Sequence, residues 1–415
     1  MEGTAVEYPR IRPDVNAFPL SVEGQAMICF QDSQRLSEGT LIPQAVFARI
    51  VAFFDGRHSI RDIQYEAMKR YGELLYTEQI EAVAEQLDRA LLLESPRFRQ
   101  ALDGLMEDFH KGPVRPSFFS GKSYASDPSG LKVEMEGYFT KQGGPGGFSR
   151  SRRASGLRGI LAPHIDFQRG GHCYAWAYRA VAEAEEADLY IILGIAHAPS
   201  KGRFSVTLKD FETPLGVART DRDFVNALSR RCSQDIFLDE FLHRSEHSVE
   251  FQVVFLQYVL GPEMKAAIVP ILCGSFDDYL QQGKVPEEDP QVAEFLGALR
   301  SVAIESQKRI CFISGVDLSH MGPQFGDAGA MDGLSRSRIQ QEDLETLEKV
   351  ACVDADGFLR LLQRDMNRRR ICGFPAIYVQ LRTMEALRGE VLKYDQGATP
   401  DGRSMVSFAA LAFYG

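Results

Sequence analysis

The sequence lacks the features that mark secreted, membrane-spanning and disulfide-stabilised proteins. Its seven cysteines are odd in number, lie far apart and form no Cys-X-X-Cys pair, which favours reduced thiols over a disulfide framework. No apolar run approaches the roughly 20 residues of a membrane-spanning helix. Residues 1–10 contain Glu2 and Glu7 but no apolar core of a signal peptide. We therefore expect a soluble protein of the cytoplasm.

An excess of basic residues is also missing. The 47 lysines and arginines are outnumbered by 57 aspartates and glutamates, which gives a formal net charge of −10 at pH 7. Proteins that bind nucleic acid usually carry a basic face, so we expect no nucleic-acid partner.

What the chain does have is length and apolar content. With 415 residues, 44% of them hydrophobic, it is long enough for two domains with packed cores.

Residues 157–415 alternate between short apolar runs and predicted helices. Strands are predicted at residues 157–162, 188–194, 266–272 and 309–315. This alternation is typical of a mostly parallel central sheet flanked by helices. The predicted fold class is therefore α/β, and ligands are expected beyond the carboxyl ends of the strands.

Three of the predicted strands are followed at once by a histidine. They run into Pro163-His164-Ile165-Asp166, into Ile195-Ala196-His197, and into Val316-Asp317-Leu318-Ser319-His320. Imidazoles delivered to one sheet edge by three strands would make a metal site. Three histidines suit zinc, whereas two histidines and a carboxylate suit non-heme iron. The residues alone leave both ligand sets open.

A further candidate group opens a predicted helix, in Glu246-His247-Ser248-Val249-Glu250. Acidic residues in a first helical turn also complement the helix dipole, so both glutamates have a structural explanation. A charged histidine is poorly placed at a helix start, which favours a neutral, functional imidazole at His247. We predict it as a fourth ligand or as a general acid/base. Cys372 could line the pocket, although burial as a small apolar group is the commoner role of a cysteine.

Residues 1–105 have the element order of a winged helix-turn-helix, with a strand candidate, three helices and an apolar end. Arg12-Pro13-Asp14, residues 54–63 and residues 87–95 resemble PqqD-like peptide-recognition domains. That resemblance implies capture of a leader peptide by strand addition at a sheet edge. The alternative is a domain that only stabilises or dimerises the protein. Residues 106–156 are predicted as a linker and entry segment before the α/β domain at 157–415.

Five motifs of the α/β region resemble the Memo family, the family of AmmeMemoRadiSam system protein B. They are Ile160-Leu161-Ala162-Pro163-His164, Leu193-Gly194-Ile195-Ala196-His197, Glu212-Thr213-Pro214-Leu215-Gly216, Glu246-His247-Ser248-Val249-Glu250 and Ser314-Gly315-Val316-Asp317-Leu318-Ser319-His320. Ile371-Cys372-Gly373 resembles a later segment of the same family. The resemblance implies a fold shared with class III extradiol dioxygenases, which use non-heme iron(II).

By this resemblance, His164 and His197 take the places of two metal ligands. The third ligand of the animal members is a cysteine, and the matching position here is taken as Ser319. Asp317, His320 or His247 would then complete the ligand set. The predicted metal ligands are His164, His197 and His320, and the predicted catalytic residues are His247, Glu246 and Asp317.

These observations predict a metal-dependent oxidoreductase that uses iron(II), with zinc or copper as other metals that the ligands suit. The substrate is expected to be a peptide or protein that residues 1–105 bind, and the family association implies a radical SAM protein as a partner. Two alternatives stay open. One is a non-catalytic module that binds a peptide or another ligand, and the other is a zinc-dependent hydrolase.

Overall fold

A computed structural model of the chain describes residues 7–37, 39–149, 156–261 and 264–415. The chain forms two compact units, Met1–Lys111 and Gly112–Gly415. Of the predicted linker, residues 106–111 end a helix of the first unit and residues 112–149 belong to the second. Residues 150–155 of that linker lie outside the described residues.

The first unit combines a small antiparallel sheet with four helices. Its strands are β1 (Val15–Val22), β2 (Gln25–Asp32) and β3 (Thr40–Pro43), in the order β1-β2-β3. Its helices are α1 (Gln44–Arg49), α2 (Ile60–Tyr71), α3 (Thr77–Arg89) and α4 (Pro96–Lys111). Phe30, Ile63 and Leu87 lie in its buried apolar cluster. Ser59 caps α2, because its side chain accepts a hydrogen bond from Asp62 N. The assignment of this unit as a winged helix stays a prediction.

The second unit contains a large mixed sheet, a small sheet and nine helices among its described residues. Its strands are β4 (Val114–Arg115), β5 (Leu157–Ala162), β6 (Leu189–Ile195), β7 (Phe204–Val206), β8 (Asp210–Thr213), β9 (Gly216–Ala218), β10 (Ala267–Cys273), β11 (Ile310–Gly315), β12 (His320–Met321), β13 (Arg388–Ala398) and β14 (Met405–Tyr414). Its helices are α5 (Pro128–Thr140), α6 (Phe167–Glu183), α7 (Arg222–Ser229), α8 (His247–Leu260), α9 (Asp277–Gln282), α10 (Pro290–Glu305), α11 (Gly333–Ala351), α12 (Ala355–Asp365) and α13 (Phe374–Thr383).

The large sheet has the strand order β12-β14-β5-β11-β6-β10-β7, with β13 paired to β14. Its centre is parallel, because β11 pairs in parallel with both β5 and β6, and β10 pairs in parallel with β6. Strands covered on both faces read as continuous apolar runs, and every residue of β6 is buried. The predicted α/β class with a mostly parallel central sheet is confirmed. β4, β8 and β9 form a separate three-stranded sheet.

Helices cover both faces of the large sheet. On one face, α6 and α8 pack through stacked rings of Tyr174 and Phe255, whose centroids are 4.6 Å apart. On the other face, α10 and α13 contribute buried residues such as Phe295 and Ile377 to a second apolar cluster. No helix in the described part of the chain combines the length and apolar composition that crossing a membrane requires.

Two glycines let the start of α8 approach the ends of the central strands. A Cβ added to Gly194 in β6 would lie 2.5 Å from Ser248 Oγ, and a Cβ at Gly315 in β11 would overlap the backbone oxygen of Ser248. Ser248 Oγ also accepts a hydrogen bond of 2.9 Å from Ile195 N. These contacts hold the first turn of α8 over the carboxyl edge of the sheet.

Candidate metal centre

Four segments of the second unit meet at the carboxyl edge of the parallel strands. His164 follows β5, His197 follows β6, and Asp317 follows β11, which lies between those two strands. His247 is the first residue of α8, whose start lies over the same edge. The strand-end rule therefore explains three of these positions, and the close approach of α8 explains the fourth.

His164, His197 and His247 come close enough to hold one metal ion. One ligand atom from each side chain lies within 4.8 Å of the other two. The ring centroids are 4.8 Å apart for His164 and His197, 5.2 Å for His164 and His247, and 4.7 Å for His197 and His247. His164 is only 2% exposed, whereas the side chain of His197 is 36% exposed. The group is therefore buried on the His164 side and open on the His197 side.

The hydrogen bonds of the rings orient them toward one another. His164 Nδ1 donates to the backbone oxygen of Gly315 at 2.9 Å, because a carbonyl oxygen can only accept. This bond leaves His164 Nε2 with a lone pair for an ion. Burial, reinforced by the neighbouring imidazoles of His197 and His247, holds the pKa of His164 well below its usual value. A neutral imidazole is the form that binds metals.

The carboxylate of Glu246 lies beside both of the other imidazoles. His197 Nδ1 lies 3.1 Å from Glu246 Oε1 and 3.0 Å from Glu246 Oε2, and His247 Nδ1 lies 3.1 Å from Glu246 Oε1. The backbone nitrogens of His197 and Ser248 also donate to this carboxylate, at 3.2 and 2.9 Å. Burial alone would raise the pKa of Glu246, but the two imidazoles outweigh burial and lower it well below its usual value. Carboxylates in this position orient metal-binding histidines.

Asp317 and Cys372 border the group on the His164 side. Asp317 Oδ1 accepts hydrogen bonds from the backbone nitrogens of His164 and Ile165, at 3.0 and 3.2 Å, and Asp317 Oδ2 lies 3.6 Å from His164 Nε2. Burial raises the pKa of Asp317 to about 7. Cys372 Sγ lies 3.3 Å from His164 Nε2, and burial raises the pKa of its thiol. Imidazole, carboxylate and thiol donors together suit a transition metal such as zinc, iron or copper.

His320, a predicted ligand, does not belong to this group. Its Nδ1 points to the backbone oxygens of Leu318 and Arg370, at 3.1 Å each, and its ring packs against Phe325. The reason is the path of the chain after β11. It crosses to the far side of β5, where His320 begins β12 and pairs with β14. The structure thus brings together His164 and His197 with His247, which the sequence predicts as a fourth ligand or an acid/base.

Ser319 does not lie beside the imidazoles, where the resemblance implies the third ligand. The Ser319 hydroxyl is fully buried and donates to Asp343 Oδ1 at 2.6 Å, away from the imidazoles. Cys372, and not Ser319, is the side chain that lies beside His164. Cys372 is 208 positions from His164 along the chain. The sequence signal for it was the segment Ile371-Cys372-Gly373 within the family resemblance.

A cavity of about 910 Å³ borders the open side of the group at His197. Its described lining mixes alanines and prolines with charged residues such as Lys201, Arg203 and Asp289, and contains no phenylalanine, tyrosine or tryptophan. The volume lies in the range of small-molecule sites. A reactant can therefore reach the imidazoles from the side of His197.

The comparisons with known proteins extend over most of the chain. Residues 115–412 match the Memo-like protein family. A MEMO1 family protein of Aquifex aeolicus (strain VF5) is 31% identical over 408 residues, which cover 97% of this chain and 100% of that relative. MEMO1 family proteins of Methanopyrus kandleri and Thermus thermophilus are 29% and 26% identical, covering 71% and 82% of this chain and 96% and 94% of the relatives. The family match confirms the resemblance expected from the motifs, and the chain belongs to the Memo-like protein family.

Proposed function

We propose that the protein is a metal-dependent oxidoreductase in which His164, His197 and His247 hold a divalent ion, iron(II) in the first instance. The observation that carries the proposal is the convergence of three imidazoles whose Nδ1 atoms face Gly315 O and Glu246. Three imidazoles leave positions open for reactants. A bound iron ion would supply redox chemistry with dioxygen and would polarise a substrate oxygen.

The chain's own residues would orient the ligands, limit water and move protons. Glu246 orients His197 and His247. Phe119 and Phe251 pack edge-on against the His247 ring, with centroids 5.8 and 5.4 Å away, and keep water from that side. We assign proton transfer to Asp317, whose Oδ2 lies at the inner edge of the group and faces His164 Nε2.

Metal analysis of single-histidine variants tests this proposal. The protein is purified anaerobically, and its metal content is measured by mass spectrometry for the parent and for His164→Ala, His197→Ala and His247→Ala. We expect stoichiometric iron in the parent and its loss in all three variants. His320→Ala is the matched control, because its side chain lies outside the group, and it should retain the metal.

Each other outcome of this experiment contradicts a stated part of the proposal. Retention of metal in His247→Ala together with its loss in His320→Ala would favour His164, His197 and His320 as the ligands. Stoichiometric zinc, with no activity gained on iron loading, would favour a hydrolase. A parent protein that binds no divalent metal would leave a binding module as the function.

We also propose that the first unit docks a peptide or protein, within a modification pathway that includes a radical SAM protein. In the described part of the chain, β1 and β3 each pair only with β2. Each therefore has one edge at which a peptide could add a strand. Labelled peptides encoded next to the gene are titrated with the full chain and with residues 112–415. Equal binding to both proteins, or to neither, would rule out docking by the first unit.

A further inference from the structure

A buried carboxylate lies behind the candidate metal centre, at Asp343 on α11. It is fully buried and accepts hydrogen bonds from four side chains: Ser319 Oγ at 2.6 Å, Tyr394 OH at 2.9 Å, Ser407 Oγ at 2.5 Å, and the guanidinium of Arg369. A buried charge persists only where a partner charge and hydrogen bonds compensate it. Here Arg369 supplies the charge, and three hydroxyl groups supply the remaining donors.

These contacts join the two segments that border His164. One is the segment after β11, which carries Asp317, and Asp343 holds it through Ser319. The other is the segment before α13, which carries Cys372, and Asp343 holds it through Arg369. The two segments also bond to each other, because His320 N donates to Arg369 O at 2.7 Å and Gly373 N donates to Asp317 O at 3.2 Å.

Neither segment forms a helix or a strand beside His164. Backbone hydrogen bonds of 2.8 and 2.9 Å join Leu318 and Ser319 of the first segment to Ser407 of β14. The segment before α13 also contains Met366, Asn367 and Arg370 at positive φ values of 55°, 50° and 54°. Non-glycine residues persist in that region only where surrounding contacts fix them. The buried guanidinium of Arg369 links this segment to α11, because it donates to the Asp343 carboxylate and, at 2.8 Å, to Thr346 Oγ1.

We infer that Asp343 is a positioning residue of the candidate metal centre: through Ser319 and Arg369 it holds Asp317 and Cys372 against His164. The inference rests on the proposed function only where it concerns what Asp317 and Cys372 do at a bound metal. The placement itself is a property of the chain without any metal, and it is tested in that state.

The test is the alkylation rate of each cysteine in the folded, metal-free protein, measured with iodoacetamide and peptide mass spectrometry. The variants are Asp343→Asn and Ser319→Ala. The control is Glu348→Gln, the same type of change at an exposed position of the same helix. We expect Cys372 to react about 10-fold faster in Asp343→Asn. The thiol reacts when the segment before α13 opens locally, and in this variant the opening no longer has to break the charged hydrogen bonds between Asp343 and Arg369. Ser319→Ala should give a smaller increase.

Other cysteines separate this local effect from unfolding. The buried Cys273 and Cys311 should stay unmodified in every variant, and the exposed Cys352 should react at one constant rate. If Asp343→Asn also exposes Cys273 and Cys311, it is unfolded, and Ser319→Ala then decides the question. The inference would be overturned if Cys372 reacted no faster in Ser319→Ala, and in Asp343→Asn that stays folded, than it does in Glu348→Gln. Absence of metal binding would overturn the proposed function and leave this result unaffected.

Discussion

Glu246 is the residue whose single side chain affects two of the three imidazoles. Its two oxygens face His197 Nδ1 and His247 Nδ1, and both oxygens also receive backbone N–H groups. In Glu246→Gln one oxygen is replaced by an amide nitrogen, which cannot accept these hydrogen bonds. We expect metal affinity to fall about 10- to 100-fold.

The affinity is measured by competition with a chromogenic chelator. Glu212→Gln is the control, because Glu212 is exposed on β8 and remote in sequence from the ligands. Unchanged affinity in Glu246→Gln would show that the imidazoles do not need this carboxylate for their orientation.

The second prediction at the residue scale concerns pH and His243. Burial, only partly offset by a hydrogen bond to Ser205 O, lowers the pKa of His243 to about 3. The unfolded chain has the ordinary pKa of about 6.5, so it binds more protons than the folded chain between these values. Stability is therefore lost as the pH falls below about 6.5. From pH 7 to pH 5 the parent should lose about 2 kcal/mol more than His243→Gln.

Urea unfolding at the two pH values measures this difference. The fluorescence of Trp176, the one tryptophan of the sequence, reports on the second unit, which also contains His243. Equal losses in the parent and the variant would mean that His243 is not held neutral in the fold.

Single residues also show what the sequence could predict about the site. His164 and His197 directly follow buried apolar strands, so their common edge follows from strand order and polarity. His320 carries the same local signal, yet it lies elsewhere because the chain crosses β5 before reaching it. The position of Cys372 depends on Arg369 and Asp343, a buried pair that no local pattern reveals.

At the scale of elements, the approach of α8 to β11 depends on Gly315. Its missing side chain leaves room for the backbone oxygen of Ser248. Gly315→Ala should push the first turn of α8, with His247, away from the sheet edge. We expect a loss of about 1–3 kcal/mol in unfolding free energy and a marked loss of metal affinity.

Urea unfolding and chelator competition measure the two effects. Gly297→Ala in α10 is the control, because no atom lies within 4 Å of an added Cβ there. Alanine should keep or raise the stability at that helical position. Normal metal affinity in Gly315→Ala would contradict the role given to this close approach.

A fully buried ion pair ties the last residue of β4 to α8. Arg115 and Glu250 have no exposed side-chain surface, and Glu250 also accepts from the backbone nitrogens of Phe118 and Phe119, at 3.0 and 2.9 Å. Arg115→Met leaves the Glu250 charge buried without its partner, and we expect a loss of about 3–5 kcal/mol.

Urea unfolding followed by Trp176 fluorescence is again the measurement. Arg219→Met removes an ion pair whose arginine side chain is 75% exposed, and it should cost less than about 1 kcal/mol. Similar losses in the two variants would mean that burial adds nothing to the Arg115 contact. Glu250, the second glutamate of the motif that begins at Glu246, therefore has a structural role: it pairs with Arg115 and lies outside the group of imidazoles.

Among the elements, the sequence predicts the central strands well and the peripheral ones poorly. The prediction for β5 agrees with the structure; those for β6 and β10 are shifted by one residue, and that for β11 begins one residue too early. These strands are continuous apolar runs, which give a clear signal. β7, β8 and β9 are only three or four residues long, too short for any periodic pattern.

For the whole molecule, every group of the candidate metal centre belongs to the second unit. The family match, residues 115–412, lies entirely within that unit. We expect residues 112–415 to fold when expressed alone and to bind metal with the affinity of the full chain. Metal titration of the two proteins is the check. A weaker site in the shorter protein would mean that the first unit contributes to it.

The strand order of the large sheet bears on how the molecule is made. β11 lies between β5 and β6, although it comes more than a hundred residues after both in the chain. A ribosome adds roughly 5–20 residues per second. For several seconds, therefore, the nascent chain has two finished strands with no neighbour between them. Cells that make this protein must keep those apolar strands from pairing wrongly until the missing strand emerges, and until then the Nδ1 atom of His164 lacks its acceptor, the backbone oxygen of Gly315.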